Sequence, residues 1–211
     1  MLVVAPRASG LAIARLLAEA GARVVLHNNG QDGGATGNHA VSFELLSGQL
    51  DTVEQAEALA AKCWNSVGPL AGLVIIPEDA PPEHFADSDG DWQAAMRSAL
   101  EIPFFLARAV ATRMDQIGGG CIVNVVGGEP GATDQSLAVN EVTRCASITM
   151  TLALAKALPA KVRVCAVVGS ATTPPDAASG VGSAVARTVL FLLSGESLGT
   201  GVIVRLGASR S

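Results

Sequence analysis

Ser9-Gly10-Leu11-Ala12-Ile13-Ala14-Arg15-Leu16-Leu17-Ala18-Glu19-Ala20-Gly21-Ala22-Arg23-Val24-Val25 is the stretch that decides the fold. Leu11, Ile13, Leu16 and Leu17 fall on one broad helical face, and Gly21 closes the helix. Arg23-Val24-Val25-Leu26 then reads as a short buried strand, and the apolar run Leu2–Ala5 supplies a strand before the helix. A strand, a helix and a second strand at this spacing imply a parallel pair joined by a right-handed crossover.

The same alternation continues along the chain. A loop rich in Gly, Asn and Asp (28–38) precedes a third strand near Val41–Leu46, and Asp51 is the expected N-cap of a helix reaching Val67. Leu73-Val74-Ile75-Ile76 is a fourth strand ended by Pro77. One long helix is expected from Asp91 to Gln116, and Gly118-Gly119-Gly120 opens a fifth strand, Cys121–Val126. A helix over Ser136–Leu158, a strand over Val162–Val168, a helix over Val181–Leu193 and a last strand over Val202–Arg205 complete the pattern. The expected architecture is a single α/β domain over residues 1–211, a Rossmann-like doubly wound parallel sheet with helices on both faces.

Composition narrows the function. With 49% hydrophobic residues and a mean hydropathy of +0.41, the chain is apolar for its class. No run approaches the roughly 18 apolar residues of a membrane span, so a membrane is not expected and the excess points to a protein partner. Net charge is −5 and the basic residues are scattered, which argues against nucleic acid. The N-terminus has no basic region before its apolar run and reads as a strand rather than a signal peptide. Cys63, Cys121, Cys145 and Cys165 are widely spaced and read as small core residues in a reducing cytoplasm. His27, His39 and His84 do not share an element, so no metal site is expected.

Three stretches carry a resemblance. Ser9–Val25 resembles the first helix and second strand of the short-chain dehydrogenase/reductase family. Gly120-Cys121-Ile122-Val123-Asn124-Val125 resembles its fifth strand, and Phe191-Leu192-Leu193-Ser194 with Gly201-Val202-Ile203-Val204 its C-terminal helix and strand. Membership implies an NAD(P)-dependent oxidoreductase fold, a glycine loop T-G-x-x-x-G-x-G, and a catalytic Asn, Ser, Tyr and Lys.

The departures from that pattern are systematic. Registering the loop on Gly10 places Val3, Val4 and Ala8 at the Thr and Gly positions, where side chains would meet phosphate oxygens. Where an acid or base would meet the ribose stand His27, Asn28 and Asn29, and Gln49 stands at the adenine-contacting Asp. Ile75-Ile76-Pro77-Glu78 replaces Asn-Asn-Ala-Gly. In the catalytic set, Asn140 takes the Tyr position, Arg144 the Lys, Gly127 the Ser and Ala99 the Asn. The sequence contains no tyrosine at all. A carboxamide does not titrate and an arginine stays protonated, so Asn140 cannot act as the general acid. The segment Ser170–Gly180 is too short for the family's substrate lid.

Neither a cofactor nor independent catalysis is therefore expected. Glu129, Asp134 and Glu141 read as solvated charges, Gly10 as a packing glycine, and Arg144 as a partner in a structural salt bridge or hydrogen bond rather than an anion site. The chain resembles the inactive subunits of heterotetrameric short-chain dehydrogenases, such as the hydroxyacyl-CoA dehydrogenase of benzylsuccinate β-oxidation. The partner expected on that resemblance is an active paralogue, met through the two long helices. Phe104, Phe105, Met150 and Leu154 are the interface candidates, and which of the two phenylalanines faces outward is left open by the sequence. A cofactor-independent isomerase, lyase or cyclase reusing the cleft, or a ligand-sensing scaffold, are the alternatives.

Overall fold

A computed structural model of the chain describes residues 1–4, 7–28, 44–77, 89–127, 138–169, 181–194 and 199–206. Seven parallel strands form one sheet: β1 (Leu2–Val4), β2 (Val25–Asn28), β3 (Glu44–Ser47), β4 (Gly72–Ile75), β5 (Gly120–Val126), β6 (Val162–Val168) and β7 (Ile203–Arg205), in the order β3-β2-β1-β4-β5-β6-β7. The helices are α1 (Arg7–Glu19), α2 (Val53–Val67), α3 (Asp89–Met96), α4 (Ile102–Gln116), α5 (Ala138–Ala157) and α6 (Val181–Ser194). This is the doubly wound arrangement expected.

The central strands are apolar on both faces because both faces are covered. Leu2, Val25, Leu73 and Ile122 point toward α2, α4 and α5. Val3, Leu26, Val74 and Val123 point toward α1 and α6. The strand order reverses between β1 and β4, where Val4 pairs with Ile75. In such sheets that reversal opens a crevice at the carboxyl ends of the strands.

Two local expectations change. Thr52, not Asp51, caps α2: its Oγ1 accepts from the Gln55 N–H, while Gln55 Oε1 accepts from the Thr52 N–H in return. The helix expected to run unbroken from Asp91 is in three parts, α3, a π turn over Arg97–Glu101, and α4. Pro103 enters α4 there, without an N–H to continue the ladder. The glycines before β5 are needed for the reason their sequence suggests. Gly119 has φ of +123°, and a Cβ there would fall on the Lys161 carbonyl.

Candidate functional site

The crevice at the carboxyl ends of β1, β4 and β5 is where this architecture places a site. Val4 closes β1, half-buried, and packs into the core beneath α2 and α4. Its carbonyl accepts from the Ile76 N–H at 2.9 Å. Only Ala5 and Pro6 stand between β1 and α1. Ala5 and Pro6 lie outside the described residues. Gly10 is buried within α1, consistent with a packing role, while the side chain of Ala8 lies outside the described residues.

At the end of β2, His27 is 4% exposed and shares the sheet face of Val25, under α2. Burial, and then the charge of Lys62, push its imidazole down from 6.5 to about 4, so it stands neutral near neutral pH. Asn28 follows, half-buried, and its carbonyl accepts from the Gly48 N–H at 3.3 Å. Among the described residues, no carboxylate ends β2 to hold a ribose. With a branched side chain closing β1 and no carboxylate at the end of β2, the described residues do not fit a dinucleotide.

The residues expected at the family's catalytic positions lie on α5, after β5 and in the π turn. Asn140 lies in the first turn of α5, 7% exposed, and its carbonyl accepts from Thr143 Oγ1 at 3.0 Å. One turn on, Arg144 Nη1 is 3.1 Å from Glu141 Oε1, with the two side chains 12% and 26% exposed. This is the salt bridge expected for Arg144, and it also engages Glu141. Gly127 follows β5, half-buried. Ala99 lies inside the π turn, 5% exposed, and its carbonyl accepts from Ser147 Oγ at 3.4 Å. Ser147 escaped the sequence reading, because a serine inside a helix gives no signal of the backbone carbonyl it will meet. Glu129, Asp134, His39, His84, Asn29 and the segment Ser170–Gly180 lie outside the described residues. Among the described residues, no group of three or more His, Cys, Asp or Glu could hold a metal ion, and no helix is long and apolar enough to cross a membrane.

The interface candidates separate cleanly. Phe104 is the outward ring, 37% exposed. Phe105 is half-buried, with the Phe104 ring edge-on at 5.3 Å and the Arg108 guanidinium 4.9 Å from its centroid. Phe104 and the half-buried Met150 line an open groove of about 610 Å³ together with Trp92, Met96, Leu100 and Ala146. Leu154 corrects its expectation: at 3% exposure it packs into the core against the sheet, since it lies on the inward face of α5. Cys145 also departs from its expectation, being exposed on α5 while the other three cysteines are buried.

The outward face of α5 carries the strongest unexpected pattern. Val142, Cys145, Thr149, Leu152 and Lys156 are all exposed, at alternating spacings of about three and four residues as in a coiled-coil seam. Among the described residues of α5, Lys156 is the only exposed one that bears a charge. A solvent-facing helix surface is ordinarily dominated by polar and charged residues.

Comparison with known proteins agrees with the fold. The family described as short chain dehydrogenase matches residues 2–186. Gluconate 5-dehydrogenase of Gluconobacter oxydans is 32% identical over 129 residues, covering 57% of this chain. The match spans only 50% of the length of that curated relative. Among solved structures, acetoin dehydrogenase from Enterobacter cloacae superposes with a TM-score of 0.81 at 18% identity, covering 97% of this chain and 93% of that one. A short chain dehydrogenase from Mycobacterium smegmatis gives 0.80 at 20% identity, covering 100% and 93%.

Proposed function

Because the chain belongs to the short-chain dehydrogenase family, we propose that it serves as a non-catalytic subunit supporting an active paralogue in a heterotetramer. The active partner would be an alcohol or hydroxyacyl-CoA dehydrogenase that carries its own cofactor site and Tyr-x-x-x-Lys. The observation that carries this reading is Asn140. Registered on the family's pattern it stands at the tyrosine position, it lies in the first turn of α5, and the sequence contains no tyrosine. A carboxamide supplies no proton at any accessible pH.

What the chain keeps supports the same reading. Its sheet is packed on both faces, and among the described residues several large apolar side chains stay in water on α3, α4 and α5, with Phe191 exposed on α6 of the other face. Trp92 is 45% exposed, Phe104 37%, Val142 44% and Leu152 41%. Nearby charges are already paired within the chain, Arg97 with Glu101 at 3.8 Å and Arg108 with Glu57 at 3.7 Å. An apolar face with internally neutralised charges suits a helical protein partner better than a charged ligand.

The test is co-expression with a full-length relative from the same source that carries an intact Tyr-x-x-x-Lys. A defined complex whose dehydrogenase activity requires both chains, and survives Asn140→Ala, is the expected result. Turnover by the isolated chain, or a fully active relative that never binds it, refutes the reading.

A further inference from the structure

Two thiols meet in the core on the sheet face covered by α1 and α6. Cys121 of β5 and Cys165 of β6 are 1% and 0% exposed. Their register puts them together. Cys121 stands opposite Arg163, two residues before Cys165, so all three side chains leave the sheet on the same side. The two thiols are in hydrogen-bonding contact with each other. Cys121 Sγ also lies 3.5 Å from the Leu192 carbonyl in the last turn of α6, and Cys165 Sγ 4.0 Å from the Gly199 carbonyl. A third sulfur stands on the same face. Gly72 of β4 pairs with Cys121 from the other side, and the Met1 thioether fills the place a Cβ on Gly72 would take.

Hydrocarbon would fill this space as well, so the charge beside it matters. Arg163 Nη1 is buried and has no hydrogen-bond partner among the described residues. A guanidinium N–H left unmet in a dry interior is costly, and an anion beside it removes that cost. The sulfurs lean that way. The bond from Cys121 first, then, against burial, the Val202 N–H and the Arg163 charge draw Cys165 down to about 7.

What can join the two sulfurs is limited. With a rise of about 3.3 Å per residue and a strand spacing of about 4.8 Å, cysteines two residues out of register have Cα atoms about 8 Å apart. A disulfide spans no more than about 7 Å without backbone movement, so the sheet opposes one. A structural zinc site takes four ligands, and among the described residues no group of three or more His, Cys, Asp or Glu gathers. A soft monovalent cation meets both limits. Copper(I) selects thiolates and is satisfied by two sulfurs in line, slightly further apart than a thiol hydrogen bond holds them. One Cu(I) enters and the thiol protons leave to water. The ion and two thiolates then carry a single negative charge, which the Arg163 guanidinium matches.

We infer that Cys121 and Cys165 bind one copper(I) ion between β5 and β6, with Arg163 as its counter-charge. The site lies toward the amino ends of these strands, away from the crevice at their carboxyl ends. The way in is short, since Gly199, whose carbonyl touches Cys165, is exposed. The site needs no second subunit and stands apart from the subunit reading.

The experiment uses the full chain with Cys63→Ala and Cys145→Ser, which keeps these two thiols alone. Titrated anaerobically with Cu(I) against the chelator bicinchoninate, it should bind one ion, and X-ray absorption should show sulfur donors only. Adding Cys121→Ala or Cys165→Ala should weaken binding by about a hundredfold or more, and adding Arg163→Leu by about tenfold or more. Circular dichroism checks that each variant is folded. Where a cysteine variant is not, Arg163→Leu decides by the same titration, because that side chain is only half-buried. A folded two-thiol chain that takes up no Cu(I), nitrogen or oxygen donors in its spectrum, or undiminished binding in Cys165→Ala or Arg163→Leu overturns the site. Binding by the unsubstituted chain that vanishes with Cys145→Ser alone also overturns it, since the ligand would then be the exposed Cys145. A Cys121–Cys165 disulfide formed under hydrogen peroxide by a chain that binds no Cu(I) would do the same.

Discussion

Asn140 and Val4 concentrate the functional proposal at the scale of single residues. On the register that the family resemblance implies, Asn140 supplies no titrating phenol and Val4 no open backbone face. Restoring only the catalytic set should therefore fail. The variant Asn140→Tyr/Arg144→Lys/Gly127→Ser is expected to show no NAD- or NADP-linked turnover, and calorimetry of the unsubstituted chain should show no heat with either cofactor in either redox state. A dissociation constant in the low micromolar range, or turnover by the triple variant, would contradict the account. The departures at Val4 and Asn140 are legible because each is a residue identity at a position that the resemblance registers. The Ala99–Ser147 contact was not, since it depends on a helix–helix packing that no spacing in the sequence announces. His27 makes a separate prediction about stability. Its imidazole is held at about 4 in the folded chain against 6.5 for the free group. Between those values the unfolded chain binds a proton that the folded chain refuses, so stability is fully present above pH 6.5 and falls as pH drops toward 4. The drop from 6.5 to about 4 corresponds to about 3 kcal/mol. Denaturant titrations should show that loss in the unsubstituted chain and a markedly flatter profile for His27→Leu over the same window.

At the scale of elements, strand and helix positions were readable because hydrophobic period and turn residues agree along most of the chain. β6 lies at the residues expected, Val162–Val168, and β5 begins one residue early because Gly120 already pairs with Val162. The break before α4 was not read, although Pro103 is visible in the sequence. A proline in the first turn of a helix is tolerated, so its presence beside two phenylalanines does not announce a π turn. The outward faces of α4 and α5 were legible only as an excess of apolar residues, and the structure sorts them. Leu154 faces the sheet, and Leu152 and Val142 face out. The two phenylalanines should therefore respond differently to charge. Phe104→Asp places a carboxylate in the groove and should weaken the complex by about 2 kcal/mol or more, with little change in the stability of the chain alone. Phe105→Asp removes a half-buried ring packed against Arg108 and should lower the melting temperature of the isolated chain. Equal effects of both substitutions on the complex, measured by titration calorimetry, would show that the groove does not discriminate between these positions.

The described residues combine a sheet packed on both faces with large apolar side chains left exposed on α3, α4, α5 and α6. The buried core holds β1, β4 and β5 by apolar side chains on both faces of the sheet. The exposed surface explains why the molecule should not be self-sufficient. Large apolar residues left in water on neighbouring helices lower solubility and favour association. A subunit interface of the obligate kind buries on the order of 2,000 Å² or more, and binding to the folded state alone raises apparent stability by mass action. At a partner concentration a hundredfold above the dissociation constant, the gain is about 2.7 kcal/mol. For a domain of this size that is a rise in melting temperature of about 5–10 °C. The isolated chain is therefore expected to aggregate or sediment as mixed oligomers, and co-expression with the intact relative should give one defined species that melts higher. Leu152→Glu, on the seam of α5, should abolish the rise while leaving the melting temperature of the chain alone within about 2 °C, because that side chain already faces water there. A chain that is monomeric at micromolar concentration and melts at the same temperature with and without its relative would remove the interface from consideration and return attention to the crevice.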